Sequence, residues 1–323
     1  MPCLIGHFRD DRSPGVLHVP QCPTCQRPGT WRRLQPSLRR RASRIAFVSC
    51  SDCGLRAVLK EVQSDTSAAR LFRVAQQVHR DFQGDGRLAV AQPLARSGSV
   101  LLFAHSPGTS PLPVLINGPM VNAIGLASAI GEWLATYHQI PVRVDESGDL
   151  NPAPLDLASE VRDLEAEFSS EGVHKPREAG VFKRLRTLAL KASAEPLRRL
   201  VRLHGDAKPD NFLFDGETLV GIDIEGQYLG MPERDLAQFE AQLRASATRW
   251  LGRADQGRLL ALSSAVAQGY RLRAPLDSAR LNALRVICVL HSWINWRSAS
   301  SATGWRWDLV FSPHVAALLA EPI

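Results

Sequence analysis

The residues best suited to chemistry lie between 204 and 225. The run His204-Gly205-Asp206-Ala207-Lys208-Pro209-Asp210-Asn211 is followed, twelve residues after the asparagine, by Asp223 in Val220-Gly221-Ile222-Asp223-Ile224-Glu225. Phosphoryl transfer needs a carboxylate that accepts or orients a hydroxyl proton, and oxygen ligands that hold Mg2+ between phosphate oxygens. Asp206 precedes Asn211 by five residues, and Asp215-Gly216 is a hairpin turn signal that would return Asp223 beside them. Three hard oxygen donors around one cleft suit Mg2+.

A second constellation is Cys22-Pro23-Thr24-Cys25 with Cys50-Ser51-Asp52-Cys53-Gly54, two C-x-x-C pairs separated by 24 residues. Four thiolates so arranged suit tetrahedral Zn2+, although the gap exceeds the usual interval of about 15 to 20 residues. The plainer reading is four reduced structural cysteines or a redox pair. Cys3 and Cys288 stand outside this scheme.

The 204–223 pattern resembles the aminoglycoside phosphotransferase and choline kinase group within the protein-kinase-like fold, whose catalytic loop reads H-G-D-x-x-x-x-N followed by I-D. The resemblance implies Asp206 as catalytic base and Asn211 and Asp223 as magnesium ligands. Lys208 matches the lysine of the protein-kinase pattern H-R-D-x-K-x-x-N, which contacts the transferred phosphate. Gly205 favours the small-molecule branch. Arg234-Asp235-Leu236-Ala237 resembles the family's D-L-A segment, whose Asp braces the catalytic loop from a helix start; His204 would act similarly. Ala57-Val58-Leu59-Lys60 has the form of the third kinase strand, which makes Lys60 the nucleotide-phosphate lysine. Leu101-Leu102-Phe103-Ala104-His105 falls where the hinge would lie, and the segment ending in Tyr137-His138 resembles a family helix that ends in Leu-His. The resemblance runs from about residue 44 to 250. It departs from the family in the helix after Lys60, where 66–80 holds no acidic residue and Gln76 or Gln77 offers only a neutral hydrogen bond.

The elements around these residues are expected as β-prone pieces at 15–19, 30–34 and 44–49, a strand from 55, a helix over 66–82, and strands at 88–94 and 100–104. Helices are expected over 121–139, 158–168, 180–193, 196–203, 233–251, 256–270, 278–298 and 314–319, interrupted by a hairpin at 212–225. The resulting fold is α+β and bilobal, with a small antiparallel β lobe over 15–108 that incorporates the zinc ribbon and a mostly helical lobe over 109–323. The turn over 36–43 lacks G-x-G-x-x-G; Arg39, Arg40 and Arg41 would hang over the cleft and supply positive charge instead. A solvated basic turn is the plain alternative.

Composition narrows the classes. The 323 residues are 45% hydrophobic and 22% charged, which excludes wholesale disorder and a coiled-coil rod. The net charge of +7 is local: residues 1–60 hold 11 Lys/Arg against 3 Asp/Glu, leaving 28 against 29 for the rest. No apolar run approaches the roughly 18 residues a membrane span needs, and no signal-like segment opens the chain, so the expected location is cytoplasmic. The leading expectation is an ATP- or GTP-dependent, magnesium-dependent transfer of a γ-phosphoryl group to a small-molecule hydroxyl. Antibiotic, choline-like amine, sugar, nucleoside and lipid head group all remain open as acceptors. Trp293, Trp296, Trp305 and Trp307 are candidate linings of the acceptor pocket, or core. The alternative is a kinase-like body without catalysis, using the zinc ribbon and Arg run to bind nucleic acid or a protein partner. Protein kinase activity is less favoured, because no A-P-E-like element follows Asp223.

Overall fold

Alternation of apolar and polar residues shapes the first part of the chain into an antiparallel sheet. The computed structural model describes residues 21–27, 31–35, 38–39, 43–142, 150–170, 176–194, 196–197, 199–251, 255–299, 315–316 and 318–319. The strand expected at 15–19, Arg40, Arg41, Trp305 and Trp307 lie outside them. Strands β1 (Trp31–Arg33) and β2 (Leu38–Arg39) pair with β3 (Ser43–Cys50), which pairs with β4 (Arg56–Val62). Helix α1 (Asp65–Asp81) starts at Ser64, whose hydroxyl accepts the Ser67 N–H at 3.2 Å. Strands β5 (Leu88–Val90), β6 (Pro93–Ser97) and β7 (Val100–Ala104) follow, and the sheet runs β1-β3-β4-β7-β6. Ala46, Val48, Ala57, Leu59, Val100 and Leu102 form a buried cluster on one sheet face. Lys60 alternates to the other face, opposite Ile45 and Leu101 in the ladder.

Beyond Gly108 the chain is mostly helical. It forms α2 (Leu112–Asn117), α3 (Met120–His138), β8 (Asn151–Pro152), α4 (Leu157–Ser170) and α5 (Pro176–Ala194). Then come β9 (Val201–Leu203), β10 (Phe212–Phe214), β11 (Leu219–Gly221), β12 (Tyr228–Gly230), α6 (Glu233–Leu251), α7 (Gln256–Arg271) and α8 (Ser278–Ala299). The chain divides into two compact units: one holds the described residues up to Gly108 together with Leu213–Ile222, the other Thr109–Phe212 and the described residues from Asp223 onward. In the first unit β11 runs parallel to β5, with Leu219 opposite Leu88.

One expected helix is absent. Within 196–203 the residues Val201–Leu203 form β9, antiparallel to β12 with Leu203 opposite Tyr228, while β8 flanks β12 on its other side. A short apolar run does not distinguish helix from strand by periodicity, and here β12 supplies the ladder partners. The short helix α2 was also not anticipated; Arg258 of α7 donates to the carbonyl oxygens of Leu115, Val114 and Gly118 at 2.7, 3.1 and 2.8 Å, satisfying its end.

Helices α3 and α7 cross at two glycines. A Cβ on Gly131 would sit 2.0 Å from the Val266 carbonyl oxygen, and one on Gly269 would sit 2.0 Å from that of Ser128. Elsewhere in this unit Trp293 is buried and stacks on Phe168 with ring centroids 4.7 Å apart, so it is a core residue. No helix among the described residues is long and apolar enough to cross a membrane.

Candidate active site

The loop from His204 to Asn211 leaves β9 and closes in a single 3-10 turn, Pro209–Asn211, with the Asn211 N–H donating to the Lys208 carbonyl at 2.9 Å. Gly205 takes a left-handed φ of 84°, which favours glycine, and a Cβ there would sit a tight 3.2 Å from a Glu225 carboxylate oxygen. Asp206 follows, half-buried, with the Lys208 ammonium in contact with its carboxylate. Asn211 is fully buried, and its Nδ2 donates to the Asp206 carbonyl at 2.8 Å and to Asp206 Oδ2 at 3.0 Å. Of the two ends of this carboxamide only the nitrogen can donate to these oxygens, which leaves the Oδ1 of Asn211 as an acceptor. That buried oxygen accepts no hydrogen bond from any described residue.

The return arm is set by backbone. Glu225 N–H donates to the His204 carbonyl at 3.0 Å, and two residues earlier Asp223 holds a left-handed φ of 55°, which Asp tolerates better than most residues. Beneath the loop, Asp235 at the start of α6 accepts the His204 N–H at 2.6 Å and the Gly205 N–H at 3.2 Å. It also pairs with His138 Nε2 at 3.0 Å. Burial acts to raise the Asp235 pKa, but the hydrogen bonds from His138 and from the His204 N–H outweigh it, and the carboxyl lies below its ordinary value. His204 is buried among Trp133, Tyr137 and Phe212, and burial holds its pKa down despite the nearby Asp235, Asp206 and Asp223. Its Nδ1 accepts the Asp206 N–H at 3.4 Å.

A family model described as the phosphotransferase enzyme family matches residues 51–276. The chain belongs to that family. No curated protein sequence matches this phosphotransferase, but solved structures do. A choline/ethanolamine kinase family protein from Mesorhizobium loti is 18% identical, with a TM-score of 0.56 over 91% of this chain and 89% of the other. An amicoumacin kinase solved with AMP-PNP and Ca2+ is 13% identical, with a TM-score of 0.58 over 90% of each chain. A macrolide 2'-phosphotransferase from Brachybacterium faecium is 17% identical, with a TM-score of 0.54 over 91% and 93%. At these identities the likeness is one of fold, and the fold is protein-kinase-like. Family membership fixes the reaction class as phosphoryl transfer to a small-molecule hydroxyl.

Three of the four clustered cysteines precede the family match. Cys22, Cys25, Cys50 and Cys53 present sulfurs all within 4.8 Å of one another, with Cys22 to Cys53 and Cys25 to Cys50 at 3.6 Å. A tetrahedron of Zn–S bonds of about 2.3 Å has S–S edges of about 3.8 Å, and a disulfide is far shorter at about 2.05 Å. The two knuckles repeat one backbone: Gln26 N–H donates to the Cys22 carbonyl and Gly54 N–H to the Cys50 carbonyl, both at 2.9 Å. Both donors are left-handed, with φ of 57° and 75°. Trp31 lies opposite Cys50 in the ladder, so the second knuckle and the start of β1 share one end of the sheet.

Arg39 pairs with Arg44 in the ladder, towards the other end of β3; its side chain, like all of Arg40 and Arg41, lies outside the described residues. Lys60 sits on β4 in the first unit, whereas Asp206, Lys208, Asn211 and Asp223 belong to the second. Of the two glutamines of α1, Gln77 is buried and Gln76 is exposed. His138 and Tyr270 were not singled out as site residues: His138 Nδ1 lies 3.1 Å from the Tyr270 hydroxyl, a pairing across 132 residues that no local pattern signals.

Proposed function

We propose that this phosphotransferase moves the γ-phosphoryl group of ATP, or of GTP, to a hydroxyl of a small molecule, with Asp206 orienting that hydroxyl and taking its proton. The observation that carries the reading is the orphan Oδ1 of Asn211, a buried acceptor beside Asp206 with no donor among the described residues. Leaving such an oxygen unpaired costs about 1 to 3 kcal/mol, and a cation there removes that cost. Asn211 and Asp223 are the residues that would hold Mg2+, whose charge would neutralise the phosphate oxygens. Lys208, already against Asp206, is suited to the charge of the phosphoryl group. Lys60 is assigned to the nucleotide phosphates, with Gln77 of α1 in place of the family's glutamate, and Arg39, Arg40 and Arg41 add positive charge at the same phosphates.

The four cysteines fit structural Zn2+ by sulfur spacing and knuckle backbone. The ion would tie the residues preceding β1 to the turn between β3 and β4, the strand that bears Lys60. The acceptor class stays at the level of a small molecule with a free hydroxyl.

The test is transfer of labelled γ-phosphate from ATP to a panel of aminoglycosides, amino alcohols, hexosamines and nucleosides. Labelled product that disappears in Asp206→Asn supports the reading. Transfer that persists in Asp206→Asn at the wild-type rate contradicts it.

A further inference from the structure

We propose that Tyr270 is a positioning residue for phosphoryl transfer: its hydroxyl holds His138 in the tautomer that donates to Asp235, and Asp235 thereby fixes the loop that carries Asp206. The inference rests on Asp206 as the catalytic base and extends the site to a side chain that touches neither substrate nor metal.

The protons can be placed one at a time. Asp235 is fully buried and, with its pKa held below the ordinary carboxyl value, is ionised and can only accept. The proton on the 3.0 Å contact to His138 therefore sits on Nε2. The other ring nitrogen, Nδ1, faces the Tyr270 hydroxyl at 3.1 Å. Burial raises the pKa of that phenol, so Tyr270 keeps its proton, and with the ring proton on Nε2 its hydroxyl donates to Nδ1. The alternative tautomer would turn an Nε2 lone pair towards a carboxylate. Of the three N–H groups that Asp235 accepts, two are the peptide N–H groups of His204 and Gly205, immediately before Asp206. A ring that rotates or changes tautomer removes the third, and the carboxylate is then free to shift beneath the loop.

The scaffold keeps the hydroxyl in place. Tyr270 lies in the last turn of α7 and His138 ends α3, the two helices that Gly131 and Gly269 allow into backbone contact. Past the helix ends, Gln139 Nε2 donates to the Arg273 carbonyl at 2.6 Å and Arg273 pairs with Glu132 at 3.3 Å. These contacts tie the segments that follow His138 and Tyr270 to each other.

Two measurements test this. Ring 15N spectra of the whole protein should report His138 protonated at Nε2 with Nδ1 hydrogen-bonded, and Tyr270→Phe should move the Nδ1 signal towards that of a free lone pair. Hydrolysis of Mg-ATP, with water as acceptor, should lose about tenfold in kcat in Tyr270→Phe, as a small misplacement does, while the KM for ATP stays within about twofold. In a His138→Gln background the amide carries its own N–H to Asp235, so adding Tyr270→Phe should leave kcat nearly unchanged. A Tyr270→Phe protein with a lower Tm but wild-type kcat when fully folded overturns the proposal, as does an equal loss in the His138→Gln background. A wild type that transfers phosphate neither to water nor to any acceptor of the panel overturns the catalytic reading of Asp206, and the ring spectra still decide whether Tyr270 sets the His138 tautomer.

Discussion

The side chain of Asn211 is committed on one side and open on the other: its amide nitrogen is spent on two Asp206 oxygens, and its oxygen has no donor among the described residues. Asn211→Leu removes the oxygen and is expected to raise the Mg2+ concentration needed for half-maximal activity by at least tenfold, read from a Mg2+ titration of turnover. Asp206→Asn keeps the shape and removes the proton acceptor, so kcat should fall by about a hundredfold or more. A different residue governs acid stability. Glu160 of α4 receives two hydrogen bonds from Arg234, at 2.9 and 2.7 Å, and lies 3.5 Å from His291. Burial opposes its ionisation, but these partners win, and its pKa is lowered from 4.5 to about 2. The ionised form is the one the fold favours, so this stability is complete above about pH 4.5 and is lost as pH falls towards 2. Glu160→Gln should flatten the fall of Tm over that window relative to wild type; an unchanged acid slope would contradict the assignment.

At the scale of elements, the catalytic loop depends on how α3 and α7 meet. A methyl group at Gly131 or Gly269 has no room against the facing carbonyl, and Gly131→Ala is expected to destabilise by about 1 to 3 kcal/mol, seen as a lower denaturant midpoint. The cysteine knuckles act on the other unit. Metal analysis should find one Zn2+ per chain, and Cys53→Ser or a chelator should remove it and lower the Tm; a metal-free protein of unchanged Tm would contradict the zinc assignment. Elements whose information is local were legible in the residues. The pattern from His204 to Asn211 and the hairpin that returns to Asp223 lie within 20 residues, and the helix expected over 66–82 is α1, Asp65–Asp81. Val201–Leu203 was misread because three apolar-rich residues take their conformation from β12, some 25 residues later. The parallel pairing of β11 with β5, and the hold of Tyr270 on His138, are made across more than 120 residues, where no periodicity reaches.

For the whole molecule, the basicity noted in composition resolves into a feature of the first 60 residues, and the four-cysteine cluster falls almost wholly before the family match. The phosphotransferase body and the cysteine-bearing extension of its sheet are thus distinct in origin of signal, one carried by a motif with a chemical reason at each position, the other by sulfur spacing. The central claim is that Asp206, Asn211 and Asp223 serve a nucleotide and its metal. Thermal shift with Mg-ATP on wild type and Asp223→Ala addresses it most directly, because a ligand at a hundred times its Kd stabilises the native state by about 2.7 kcal/mol. The account predicts a rise of several degrees in wild type with Mg-ATP or Mg-GTP, abolished in Asp223→Ala. A wild type that neither nucleotide shifts, or an equal shift in Asp223→Ala, would contradict it.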